Sequence, residues 1–288
     1  MGFFDFMTQE IAIDLGTANT LIISNDKVVV DEPSIVAKDI IQNKVVAIGK
    51  KAQQMHGKTH KNVETIRPLK DGVIADFSAA EQMIRGMIKM IPTRQKFFSP
   101  SLKMVVCIPS GITEVEKRAV KDSAEHAGAK EVFLIHEPMA AAIGIGVDVL
   151  EPKGNMVIDI GGGTSEIAVI SLGGIVTDKS IRVAGDNFTT DIRLYMKNHH
   201  NIDIGERMAE KIKINVGAAT QELDEPPANF AVHGRDLMSG IPKEIIVTYK
   251  EIARALDQTI AQIEQAVLAA LGQPPLSFQL IFIILEFI

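Results

Sequence analysis

Ile11-Ala-Ile-Asp-Leu-Gly-Thr-Ala-Asn-Thr-Leu-Ile-Ile23 and Met156-Val-Ile-Asp-Ile-Gly-Gly-Gly-Thr-Ser-Glu-Ile-Ala-Val-Ile170 are two versions of one pattern. Each is an apolar run ending in an aspartate (Asp14, Asp159), then a tight Gly/Thr turn, then a second apolar run. β-Branched runs on either side of such a turn predict a hairpin. The repetition predicts two similar halves that face each other. Each hairpin then turns one carboxylate and a row of backbone N–H groups toward a shared cleft. N–H groups in a Gly-rich turn bind phosphate, and carboxylates hold hydrated Mg²⁺. A single copy would read equally well as a turn in which Asp caps a bend. Two facing copies favour the phosphate site.

The chain has 288 residues, enough for one or two domains and a large core. A net charge of −6 argues against a nucleic-acid binder that works by bulk charge. The one cysteine, Cys107, lies in Met104-Val-Val-Cys-Ile108 and reads as a buried strand thiol. With one cysteine no disulfide forms within the chain, which fits a reducing cytoplasm. The first residues lack the basic region and apolar stretch of a signal peptide. No apolar run is long enough for a bilayer-spanning helix.

Apolar β-branched runs predict strands near 11–14, 20–24, 28–30, 104–109, 132–135, 156–160, 166–170 and 175–177. Thr113 and Glu116 form a T-x-x-E capping box, and the helix they start ends near Gly128. Further helices are expected at 83–91, through Glu137–Ile143, over 205–219 and over 251–271. In the last, Ile252, Leu256, Ile260, Ile263, Val267 and Leu271 share one face. Strands followed by helices, twice over, give an α/β protein with two sheets. Residues 1–32 and 67–146 form the first core, and 33–66 a small polar, irregular insertion. Residues 147–182 and 243–275 form the second core, with a larger insertion over 183–242. An apolar tail spans 276–288.

Asp14-Leu-Gly-Thr-Ala-Asn-Thr20 and Asp159-Ile-Gly-Gly-Gly-Thr164 resemble the two phosphate loops of the actin/Hsp70/sugar-kinase superfamily. Glu137-Pro-Met-Ala-Ala-Ala142 resembles its first connecting helix. Four stretches resemble the bacterial actins of the MreB family: Arg67-Pro-Leu-Lys-Asp-Gly-Val-Ile-Ala-Asp-Phe77, Ile108-Pro-Ser-Gly-Ile-Thr113, Leu134-Ile-His-Glu-Pro138 and Gly205-Glu-Arg-Met-Ala-Glu-Lys-Ile-Lys213. The match runs from about residue 10 to Pro275. It implies an actin/Hsp70-like (ribonuclease H-like) ATPase fold of two domains and four subdomains. It also implies ATP and Mg²⁺ as ligands, and self-assembly into filaments. These filaments would lie in the cytoplasm on the inner membrane face and organise cell-wall elongation with wall-synthesis proteins in rod-shaped cells.

By the same resemblance, Gly16, Thr17, Ala18 and Asn19 wrap the β- and γ-phosphates from one side and Gly161, Gly162 and Gly163 from the other. Small residues let the backbone approach a phosphate closely. Asp14 and Asp159 hold Mg²⁺ through water. On sequence alone Glu137 is an acid suited to a helix start; the resemblance makes it the residue that positions the attacking water, with Thr164 helping. Such sparse equipment fits slow ATP hydrolysis. Glu210 and Lys213 share a helix face and read as a solvated ion pair. The resemblance instead sets Ala209, Glu210, Lys211, Ile212 and Lys213 beside the adenosine, with Ala209 admitting the base and Glu210 accepting from the ribose. Phe97 and Phe98, flanked by Lys96, suit either membrane insertion or core packing, as does Met1–Met7; for Phe97 and Phe98 the resemblance favours the membrane. A sugar kinase would need an acid/base Asp and a hydroxyl pocket, and a chaperone a long C-terminal domain; neither is found.

After Pro275 the family pattern continues with a strand and a third Gly-rich loop over the adenine. Here the chain reads Leu276-Ser-Phe-Gln-Leu-Ile-Phe-Ile-Ile-Leu-Glu-Phe-Ile288. The expectation is a shifted frame or truncation, so that the last part of the fold is missing. Sheet edges then lose partners, and ATP binding and solubility are poor. A non-functional fragment is the alternative reading.

Overall fold

The computed structural model describes residues 8–58, 61–92, 101–272 and, as backbone, 280–286. Both quoted stretches are hairpins. In the first half β1 (Thr8–Leu15) runs antiparallel to β2 (Asn19–Ser24), which is followed by β3 (Lys27–Pro33). The segment expected to be irregular is ordered. It contains β4 (Val36–Asp39), β5 (Lys44–Ile48), α1 (Lys50–Met55) and β6 (Val63–Ile66), and its strands form a sheet in the order β5-β4-β6. Strands of four or five residues are too short to display alternation, so the sequence hid them.

A two-residue hairpin, β7 (Leu69–Lys70) and β8 (Val73–Ile74), follows. Its turn residues Asp71 and Gly72 have φ of 51° and 76°, which Asp-Gly adopts readily. Then come α2 (Phe77–Ile88), β9 (Ser101–Ile108), α3 (Glu114–His126), β10 (Ala129–His136) and α4 (Glu137–Gly144). The capping box of α3 is formed as expected: Glu116 N donates to Thr113 Oγ1 at 3.2 Å and Thr113 N to Glu116 Oε2 at 2.8 Å. The first sheet has the order β10-β9-β1-β2-β3, with β9 parallel to both β1 and β10.

The second half repeats the plan. β11 (Gly154–Ile160), β12 (Ser165–Ser171) and β13 (Gly174–Ile181) form an antiparallel meander. The insertion holds α5 (Gly185–His200), β14 (Ile202–Asp203), α6 (Glu206–Val216), β15 (Phe230–Asp236) and β16 (Pro242–Val247). The boundary expected at residue 243 falls inside β16, which pairs with β15 along its length. Next are α7 (Tyr249–Leu271) and β17 (Leu280–Glu286).

β17 corrects one expectation. It runs parallel to β11, from Gly154↔Leu280 to Ile160↔Glu286, and stands to β11 as β9 stands to β1. Residues 280–286 of the apolar run are therefore a strand of the second sheet (order β13-β12-β11-β17), which gives β11 an edge partner. Ile, Phe and Leu in succession favour extended chain, and the open edge of β11 offers it a ladder.

The layers follow from which faces are apolar. Ile13, Met83, Met87 and Met104 are fully buried beneath the first sheet. α4 leaves the first sheet and packs Ala142 against Val157, Ala168 and Ile170 of the second. α7 covers the other face: Ala266 and Ala270 join Met156, Ile167 and Val169, while Ile252 and Leu256 reach into the insertion core. One amphipathic helix thus binds the second core to its insertion.

Candidate functional site

The site lies where the halves meet, at the C-terminal ends of β1, β9, β10 and β11, the usual ligand crevice of open α/β sheets. Asp14 and Asp159 are each the last residue but one of their strands. Across each hairpin, Asp14 faces Leu21 and Asp159 faces Glu166.

The two turns interlock. A Cβ on Gly162 would lie 2.7 Å from Ala18 Cβ and 3.1 Å from Ala18 N, and one on Gly163 would lie 2.7 Å from Thr17 Oγ1 and 3.0 Å from Asp71 N. Gly16 is held as closely, since a Cβ there would meet Asn19 O at 2.6 Å. Buried Ser34 buttresses the first turn: its Oγ donates to Gly16 O at 2.6 Å and its N to Ala18 O at 2.8 Å. The β7–β8 turn closes over both, with Gly72 N donating to Thr17 Oγ1 at 3.1 Å and buried Thr164 against Gly72. Gly161 N donates to Thr164 O at 2.9 Å, while Gly185 N and Asp186 N of α5 donate to the carbonyls of Gly161 (3.0 Å) and Gly162 (2.8 Å). No motif marks Ser34 as a buttress.

Carboxylates crowd beneath the turns. Burial raises the pKa of Glu137 well above the ordinary value, and Glu166, Asp14 and Asp159 add to it. Asp159 is pushed up to about 6 by burial, then by Asp14 and Glu166. Burial also raises Asp14. Glu166 is raised by burial against the pull of hydrogen bonds from Ser180 and Ser110. Cys107, half-buried, is pushed up to about 12 by burial and by Asp14, Glu137 and Asp159, so its thiol stays protonated near neutral pH. Sequence reading missed Glu166. Aligning the repeats exposes it, since the equivalent residue is Leu21.

The stretch 209–213 divides by helix face. Ala209 and Ile212 are fully buried in the insertion core, on the stripe that packs α6. Lys211 is exposed. Glu210 and Lys213 turn toward the second phosphate turn. Lys213 Nζ lies 2.9 Å from Glu210 Oε2 and donates to Gly185 O at 3.2 Å, and Glu210 accepts from Thr189 Oγ1 at 2.8 Å.

A further contact joins the two halves. Arg67 Nη1 pairs with Asp186 Oδ1 at 3.3 Å and Nη2 with Glu206, and His56 Nε2 lies 3.8 Å from Glu206 Oε2. Phe97, Phe98 and Met1–Met7 lie outside the described residues.

The raised carboxylates carry a pH prediction. Asp159 folds with a pKa of about 6 against about 4 when unfolded. Its ionisation therefore costs stability above about pH 6, and the cost vanishes as pH falls through the unfolded value, for up to about 3 kcal/mol. Between pH 7 and 5 the lowered carboxylates, such as Glu116, do not titrate. Thermal melts without nucleotide and with chelator should show Tm rising as pH drops from 7 to 5. Asp159→Asn should reduce that rise, the remainder coming from the raised carboxyls of Glu137, Asp14 and Glu166; an unchanged slope in the variant refutes the assignment.

Comparison with known proteins gives the same architecture a family. The family model described as MreB/Mbl protein matches residues 8–280. The chain is 47% identical over 268 residues to the cell shape-determining protein Mbl of Bacillus subtilis, covering 93% of this chain and 79% of that one. It is 45% identical over 280 residues to the cell shape-determining protein MreB of Escherichia coli K12, covering 95% and 79%. The crystal structure of MreB 5 of Spiroplasma citri bound to AMPPNP superposes with a TM-score of 0.86 at 35% identity, covering 96% of this chain and 84% of that one. The interlocked turns, the connecting helix at Glu137 and these matches place the chain in one group: it belongs to the MreB/Mbl family of actin-like proteins.

Proposed function

We propose that this protein binds ATP with Mg²⁺ between its halves and polymerises into filaments on the inner membrane face that organise wall elongation and keep cells rod-shaped. The chain is an actin-like cytoskeletal protein by family. The observation that carries the nucleotide reading is the pair of interlocked Gly turns above Asp14, Asp159 and Glu137. In Spiroplasma citri MreB5 the solved structures carry AMPPNP and ADP.

In this reading, Gly16–Asn19 and Gly161–Gly163 offer backbone N–H groups to the β- and γ-phosphates from opposite sides. Asn19, where relatives outside the family often carry Lys, donates without charge. Asp14 and Asp159 suit a hydrated Mg²⁺, which keeps most of its waters, and among the described residues no three His, Cys, Asp or Glu groups converge on a directly bound metal. When bound, Mg²⁺ supplies positive charge to the phosphates. Glu137 orients the attacking water and Thr164 helps hold it, giving slow hydrolysis. Glu210 and Lys213 form the adenosine-side rim. Phe97 and Phe98 enter the membrane surface, and other copies of the chain and wall-synthesis proteins are its partners. Among the described residues no helix is long and apolar enough to cross a membrane.

The test is sedimentation. The protein should pellet with ATP and Mg²⁺, and co-sediment with vesicles containing anionic lipid. Failure to bind fluorescent ATP refutes the site; binding without pelleting under any nucleotide refutes the filament.

A further inference from the structure

Glu166 is 1% exposed, yet nothing in the hairpin requires a carboxylate there. Its equivalent in the first half is Leu21, at the same register opposite the strand aspartate. Facing Asp159 directly across the strand pair, it sets like charge against like charge, an arrangement that destabilises a sheet. A buried charge kept at such a cost needs its oxygens hydrogen-bonded, and here both are. Oε1 accepts from Ser180 Oγ at 2.6 Å, on β13 of its own sheet. Oε2 accepts from the backbone N of Ser110 at 3.0 Å, in the loop after β9 of the other half.

Beside this bridge the seam is partly open: a cavity of about 450 Å³ runs along it, lined by Ser110, His136, Met139, Ile175 and Asp178 among others. One long ion pair also crosses it, Arg182 Nη2 to Glu116 Oε1 at 3.9 Å. The loop does touch β13 where Gly111 meets Ser180: a Cβ at 111 would lie 3.0 Å from Ser180 Cβ. The same loop follows β9, whose Ile108 is in register with His136, the residue before Glu137.

We propose that Glu166 is a positioning residue: by holding Ser110 to β13 it fixes the base of the cleft, and so sets Glu137 of the first half against Asp159 of the second. This rests on the reading that ATP is hydrolysed in the cleft. A displacement of about 1 Å at a reacting centre costs on the order of 100-fold in rate. The role is therefore read in turnover rather than affinity.

Three variants test it. Glu166→Ala removes both bonds and should lower turnover roughly 10- to 100-fold with ATP affinity changed less than about threefold. Glu166→Gln keeps a carbonyl oxygen for Ser110 N–H and offers an amide N–H to Ser180 Oγ, and should restore turnover to within about threefold of the parent. Ser180→Ala removes one bond, leaves the carboxylate, and covers the case in which Glu166→Ala fails to fold; it should slow turnover several-fold. Hydrogen exchange at the peptide containing Ser110, measured without nucleotide, gives an arm independent of ATP: faster in Glu166→Ala, parental in Glu166→Gln. If Glu166→Gln is as impaired as Glu166→Ala, or if Ser180→Ala and Glu166→Ala leave turnover and exchange at parental values, the bridge has no positioning role. If the parent does not bind ATP, the nucleotide reading fails by itself, and the exchange arm still decides whether Glu166 holds the loop.

Discussion

Glu137→Gln is expected to lower ATP turnover roughly 100-fold or more, the usual scale for a residue that positions or deprotonates an attacking group, while ATP binds within about threefold of the parent. The side chain sits below the turns at the start of α4 and donates nothing to the phosphate-binding backbone. Gln keeps the length and one acceptor but cannot take a proton. Burial and three neighbouring carboxylates already oppose its charge, so neutralising it should also raise the Tm of the nucleotide-free protein. Single-turnover hydrolysis, nucleotide titration and a melt separate these effects. Lost binding with unchanged chemistry would show that Glu137 belongs to the binding surface instead.

Gly162→Val is expected to do the opposite and weaken binding roughly 10- to 100-fold. A Cβ at this position already overlaps Ala18 Cβ at 2.7 Å and crowds Ala18 N at 3.1 Å. These are backbone and near-backbone atoms of the facing turn, which have no rotamer by which to yield. The branched side chain must push the turns apart. Overpacking of this kind costs about 1–3 kcal/mol, or roughly 10- to 100-fold in affinity if taken wholly from binding. The Gly162 carbonyl also accepts from Asp186 N, so the shift should reach α5. Titration with fluorescent ATP checks the affinity. Binding within a factor of three would mean that the turns are not a shared cradle.

The repeated hairpins were legible because each strand ends in Asp and each turn is rich in Gly, features fixed within fifteen residues of sequence. The capping box at Thr113 is equally local; the one at Thr248 was not read from the sequence and starts α7 two residues before the expected position. The strands of the small insertion were not legible, because they are four and five residues long. Nor was the pairing of β17, since an apolar run does not announce its partner. Within the site, Asp14 and Asp159 lie close enough to Glu137 to raise its pKa. The burial of Ala209 in the insertion core was not legible, because helix pattern alone does not say whether a small residue faces a ligand or a core. Arg67 could not be paired from sequence, its partners Asp186 and Glu206 being 119 and 139 residues away.

That pairing makes the mouth of the cleft and its floor parts of one switch. Gly162 O holds Asp186 N, and the Asp186 side chain holds Arg67 of the opposite half. Whatever orders the second turn also steadies Asp186, and so favours a shut mouth; by linkage a shut mouth favours the ordered turn equally. Arg67 and its partners are about 40% exposed, so dissolved ions weaken their attraction. If nucleotide binds between the halves as proposed, ionic strength acts on how long it stays, from a point it never touches.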